Sequence, residues 1–212
     1  MIRSPIYSTA WRATVAFLTV EIAIVSSLRY FAGSQEAPPP ILANAFANPF
    51  LVLHVAGGVA ALLAGPLQFV KRVRTRWPAF HRTTGRIYVA GCAIGAPTGF
   101  VLALGSTAGP MTGAAFALQA VLWGLFTWLG VRAIMDRRIG DHREWMLRSY
   151  AVTSAAITLR LMLPASAYLG FDFLPAYQVI AWLAPFTNII LFEYYIRRER
   201  NAAPAYGRLA NA

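Results

Sequence analysis

The sequence predicts an all-α integral membrane bundle of six transmembrane helices, with both termini on the cytoplasmic side. Three observations carry that prediction. The 212 residues are 58% hydrophobic and only 13% charged, whereas a soluble domain carries about a quarter charged residues. The apolar residues stand in blocks of about twenty, the length that crosses a bilayer as a helix. Lys and Arg gather at alternate gaps between those blocks, which is the positive-inside pattern.

The first span is expected over residues 11–31. It is too long for the apolar core of a signal peptide and has no small-residue cleavage site after it, so it reads as a retained helix. Residues 33–48 contain Pro38, Pro39 and Pro40, which cannot continue a helix, and form an extracytoplasmic loop. The second span begins at Pro49, a residue suited to a first helical turn, and ends near Val70. The basic tract Lys71, Arg72, Arg74 and Arg76 separates it from the third span, 78–104. A Gly-rich turn over 105–109 leads into the fourth span, 111–135. A charged loop with Arg137, Arg138, Asp141, His142 and Arg143 precedes the fifth, 144–169. The loop 170–175 precedes the sixth, 176–196. Residues 1–200 therefore form one six-helix domain, and 201–212 a short cytoplasmic tail.

Orientation follows from the cations. The N-terminus, the second-to-third loop, the fourth-to-fifth loop and the C-terminus hold every Lys and Arg except Arg29 and Arg160, so these regions face the cytoplasm. The net charge of +11 lies in these tracts, where it attracts anionic lipid head groups. No basic helix interleaved with aromatics appears, which excludes nucleic acid. The single cysteine, Cys92, rules out an intramolecular disulfide and a Cys-rich metal site. Neither a phosphate loop, nor a zinc-protease motif, nor a Ser-His-Asp arrangement is present.

The residues that stand out against this apolar background are few. His81 and His142 both lie where a span leaves the cytoplasm, and two neutral imidazoles on facing helices can hold a heme iron. Arg82, Arg86, Arg143 and Arg148 stand beside them as partners for heme propionates. The alternative is that all six are interfacial groups meeting lipid head groups. A second set lies deeper: His54, Gln119 and Arg160 fall at similar depth below the outer face, with Glu21 somewhat further in. Ionisable groups are costly there and point to function, although a Glu21–Arg160 pair could instead only fix helix packing. Gly57, Gly58 and Gly65 on the second span, and Gly91, Gly95 and Gly99 on the third, form small-residue stripes that permit close helix approach.

The string His54…Gly57…Gly65, then His81-Arg82-x-x-Gly85-Arg86-x-Tyr88, then Asp141-His142-Arg143-x-Trp145-Met146-x-Arg148-Ser149 resembles an uncharacterised bacterial membrane-protein family, domain of unknown function 2306. That likeness, over about residues 45–165, implies a multi-pass protein of the bacterial inner membrane. A more distant resemblance is to the cytochrome b561 group, six-helix proteins holding two b hemes with four histidines. It implies a redox or cofactor-binding protein with one b-type heme between His81 and His142. Here the fourth span has no histidine, and Gln119 is its nearest polar residue, so no outer bis-histidine heme is expected. Two alternatives stay open. One is a cofactor-free accessory subunit packing against other subunits of a membrane complex. The other is a protein that binds quinone, or transports a small molecule, through the His54–Gln119–Arg160 cluster.

Overall fold

The computed structural model describes residue 17, residues 19–28 and 30, and residues 43–202. Among them all regular structure is helical. A π-helical segment, Glu21–Val25, runs into α1 (Ser26–Leu28), followed by α2 (Ala47–Phe69), α3 (Lys71–Arg76) and α4 (Pro78–Leu104). Next come α5 (Pro110–Met135), α6 (Ile139–Thr153), α7 (Ala155–Tyr168) and α8 (Phe173–Ala202).

Four helices among the described residues are long and apolar enough to cross a bilayer: α2, α4, α5 and Phe173–Asn201 of α8. Large apolar side chains such as Leu53, Ile94, Val121 and Leu183 point outward from them, as lipid-facing surfaces require. The expected second, third and fourth spans thus match α2, α4 and α5 within a few residues. Of the expected first span, 11–31, residues 17, 19–28 and 30 are described, and the rest lies outside the described residues. Its described end packs Ile22 and Ala23 against Leu62 of α2, with Ile157 of α7 alongside.

The expected fifth span is two helices rather than one, and it starts five residues earlier than its apolar stretch. The break falls at Ser154 (φ −71°, ψ −8°). Asn188 of α8 is buried there; its Nδ2 donates to the Ala151 carbonyl (3.3 Å) and to Ser154 Oγ (3.1 Å). Thr158 Oγ1 in turn donates to Asn188 Oδ1 (2.9 Å). Loosened backbone groups at membrane depth must find partners inside the protein, and one amide from α8 supplies them. The early start has an electrostatic cause, described below: the charged first turns of α6 are held against α8.

Helix α2 makes its most extensive contact with α4, and glycine makes it possible. A Cβ on Gly57 would lie 2.6 Å from the Gly91 carbonyl oxygen and 2.7 Å from the Gly95 nitrogen; one on Gly91 would lie 2.7 Å from the Gly57 oxygen. The two backbones touch, as the small-residue stripes predict. Gly58 faces open space and takes no part. Beside this seam sits the core of Ala61, Tyr88, Cys92, Ala96, Trp123, Met146 and Tyr150. Replacing Gly57 by Ala forces backbone apart and is expected to destabilise the protein by about 1–3 kcal/mol, whereas Gly58→Ala is neutral or slightly stabilising. Thermal unfolding in mild detergent separates the two; equal midpoints would contradict this seam.

Candidate functional site

Two of the three histidines, His54 and His142, are seated against a glycine of a neighbouring helix. His54 of α2 lies where a Cβ on Gly99 would be, 2.8 Å from its ring atoms, and its Nδ1 is 2.8 Å from the Gly95 carbonyl oxygen. A carbonyl can only accept, so Nδ1 carries the proton and the neutral ring presents a bare Nε2. His142 of α6 repeats this chemistry, with Nδ1 2.8 Å from the Gly130 carbonyl oxygen of α5. His81 of α4 differs. The Gln68 amide of α2 lies against Gly85, and one orientation satisfies all its neighbours. In it, the oxygen accepts from Gly85 N–H (3.2 Å), while the NH2 donates to the His81 carbonyl (3.2 Å) and to His81 Nδ1 (3.0 Å). His81 therefore accepts at Nδ1, and its neutral ring carries the proton on Nε2.

The structure gathers the predicted residues into two clusters. The inner one brings His81 and His142 within electrostatic reach of each other, with Arg82 and Arg74 also acting on His81. Arg86 is exposed. Arg143 and Arg148 are engaged elsewhere. Arg148 makes a two-pronged contact with Glu193 of α8 (Nε–Oε2 2.9 Å, Nη2–Oε1 3.1 Å) and also lies over the Trp145 ring. Arg143 pairs with Glu199, and Glu144 pairs with Arg200. Asp141 and, after it, Asp136 hold the Arg138 guanidinium above its ordinary pKa through their hydrogen bonds. Of the propionate partners expected for a heme, Arg143 and Arg148 thus have carboxylates of this chain. Nδ1 of His142 donates to a carbonyl, whereas Nδ1 of His81 accepts from an amide. Among the described residues, no three His, Cys, Asp or Glu side chains group closely enough to hold a metal ion.

The outer cluster lies about 21 Å further along α4, the rise from residue 81 to residue 95. His54 meets the Trp123 ring edge-on, with centroids 6.5 Å apart, and lies within electrostatic reach of Arg160. Gln119, one turn from Trp123 on α5, buries its Oε1 with no hydrogen bond among the described residues. Arg160 donates to the carbonyl of Ala156 (3.1 Å) and is close enough to act on Tyr177 of α8. His54 and Arg160 therefore lie within electrostatic reach of each other, and Gln119 stands one turn along α5 from the Trp123 ring that His54 meets. Glu21 is half-buried at the start of the π-helical segment.

Sequence reasoning passes over a buried hydroxyl network shared by α4, α5 and α6. Tyr88 OH lies 2.7 Å from Ser149 Oγ and 2.9 Å from Thr153 Oγ1, Ser149 Oγ lies 2.7 Å from Thr127 Oγ1, and Thr127 Oγ1 donates to the Trp123 carbonyl (2.8 Å). All four side chains are buried. With Thr127 donating to the Trp123 carbonyl, Ser149 donates to Thr127 and Tyr88 to Ser149, and the single Thr153 proton is shared between Tyr88 OH and the Ser149 carbonyl (3.1 Å). The signal was there in part, since Tyr88 and Ser149 belong to the motif string. Glu144, Glu193 and Glu199 are also missed, although Glu144–Arg148 and Glu193–Arg197 have the i, i+4 spacing of helical ion pairs.

Residues 51–196 match a family model whose description is Predicted membrane protein (DUF2306). No curated protein and no solved structure matches the chain.

The Arg148–Glu193 contact is largely screened from water, with side chains 16% and 30% exposed, so breaking it leaves a poorly solvated charge. Arg148→Met is expected to lower stability by about 1–3 kcal/mol, between the values for exposed and fully buried pairs. The double change Arg148→Met with Glu193→Met should recover much of that loss. A double-mutant cycle on thermal unfolding measures it, and strictly additive losses would show that the two side chains do not act as a pair.

Proposed function

The chain belongs to the DUF2306 family of predicted membrane proteins, and from that premise we propose a six-span bundle that binds a membrane-soluble molecule of the quinol class at the outer cluster. Both termini lie on the cytoplasmic side. That orientation is supported by the cation distribution, and the span count by the pairing of α6 with α7 as one crossing.

One observation carries the binding reading. The hydrogen bond from His54 Nδ1–H to the Gly95 carbonyl leaves Nε2 a bare acceptor, in a region where Gln119 Oε1 is a second buried acceptor without a donor. Beside them Trp123 Nε1–H is a buried donor without a hydrogen bond among the described residues, so the three groups call for a ligand that both donates and accepts. A quinol hydroxyl does so, and its ring suits the Trp123 side of the cluster. A proton leaving that hydroxyl has His54 Nε2 to receive it, and the Arg160 cation nearby favours the oxygen anion left behind.

The test is binding of a short-chain quinol to the purified protein, read by calorimetry or thermal shift. His54→Ala and Gln119→Leu should each weaken binding about tenfold, the value of one good hydrogen bond. Trp128→Phe, on the exposed face of α5, should leave it unchanged. An undiminished affinity in both cluster variants would overturn the reading.

A second reading, a b-type heme at the inner cluster, is favoured by the Nδ1–carbonyl bond of His142, which leaves its Nε2 to ligate, and by His81 within its electrostatic reach. For His81 to serve as the second ligand, the Gln68 amide must rotate so that Nδ1 donates to its oxygen and Nε2 is freed. A low-spin heme absorption spectrum that His142→Ala abolishes and His54→Ala preserves is the expected result on this reading. A colourless protein, purified from heme-supplemented cells, would exclude it.

A further inference from the structure

We infer that residues 71–86 form a binding surface for anionic phospholipid head groups, centred between Arg76 and Arg82. The charges of the chain are sharply segregated. No Asp or Glu occurs between Glu36 and Asp136, so Lys71, Arg72, Arg74, Arg76, Arg82 and Arg86 have no carboxylate near them in sequence. Among the described residues none of the six makes an ion pair, and all are exposed. The other basic region at this end is the opposite case. Asp136, Asp141, Glu144, Glu193 and Glu199 all pair with its own arginines. Six of the eight arginines in that region are compensated internally, whereas the first region requires its anions from outside.

Geometry points to a lipid as their source. Helix α3 turns one apolar residue, Val73, into the protein and keeps its four cations outward. Beside them Val70, Trp77 (53% exposed) and Phe80 (47% exposed) present apolar surface. Arg76 and Arg82 flank an open concavity floored by Trp77, Pro78, Ala79 and Phe80. Two guanidiniums around a concavity suit the oxygens of a phosphodiester, and the aromatic floor suits the glycerol and upper acyl region, where Trp resides in membranes. A free phosphate would use the arginines and leave Trp77 and Phe80 without a role. Clustered cations immediately beside a span attract anionic lipid at a few-fold to tenfold per charge.

The experiment uses the full chain in mild detergent, titrated with phosphatidylglycerol or phosphatidylcholine, with retained lipid counted by native mass spectrometry. Wild type should retain phosphatidylglycerol selectively. Arg76→Gln with Arg82→Gln should lower that affinity by about tenfold or more. Arg137→Gln with Arg198→Gln removes the same charge from the other basic region, at two arginines that make no ion pair among the described residues and do not line the concavity, and should change it less than twofold. Circular dichroism of each variant confirms that the helices are intact, and Arg76→Lys with Arg82→Lys, which keeps the charge, should retain much of the selectivity. Equal losses in the two glutamine variants, no selectivity in wild type, or displacement of the lipid by inorganic phosphate alone would each overturn the assignment.

Discussion

At residue 57 the backbone of α2 lies directly on the backbone of α4, with no room for a single carbon between Gly57 and the Gly91–Gly95 turn. In a bilayer, helices gain little from exchanging lipid contact for protein contact, so association rests on close packing and internal polar bonds. Here close packing also fixes chemistry. Because α4 offers Gly95 and Gly99 in place of larger residues, the His54 ring can lie against its backbone and donate to the Gly95 carbonyl. The same Gly95 admits the Trp123 ring of α5 from the other side, 2.7 Å from where a Cβ would stand. One seam of glycines thus sets the spacing of three helices and the tautomer of a buried histidine.

The hydroxyl chain continues this logic towards α6. Tyr88 leaves α4 and meets Ser149 and Thr153, while Thr127 reaches in from α5. Each of these groups would cost free energy if left unpaired in an apolar core, and together they satisfy one another. A polar network of this kind specifies register, because a shifted α6 would leave several hydroxyls without partners. Asn188 does the same for α8, where it satisfies the break at Ser154.

Spans were legible in the sequence wherever one apolar block made one helix. The length of the apolar blocks placed α2, α4 and α5, and the glycine stripes anticipated the seam between α2 and α4. The fifth crossing was misjudged at its start because the charged stretch around Asp141 and His142 has no apolar signature. It is helical because Glu144, Arg148 and Arg143 find opposite charges on α8, a long-range cause that local pattern does not contain. Grouping of His54 and Arg160 by depth was readable from helical rise alone. What each imidazole nitrogen does was not, since it depends on which carbonyl or amide a distant glycine brings near.

The two histidine–arginine motifs show how much that distant context decides. His81-Arg82, Arg86 and Tyr88 echo His142-Arg143, Arg148 and Tyr150, and the structure brings the echo together: the Tyr88 and Tyr150 rings lie 6.5 Å apart in one core. Their histidines then diverge, because one meets a carbonyl at Gly130 and the other an amide at Gln68. Their arginines diverge as well. Those of the second motif face a helix carrying Glu193 and Glu199 and become internal struts. Those of the first lie within the carboxylate-free stretch between Glu36 and Asp136 and remain at the surface. Similar strings therefore serve as a structural clamp in one place and as an exposed cationic face in the other, and the neighbouring helix makes the difference.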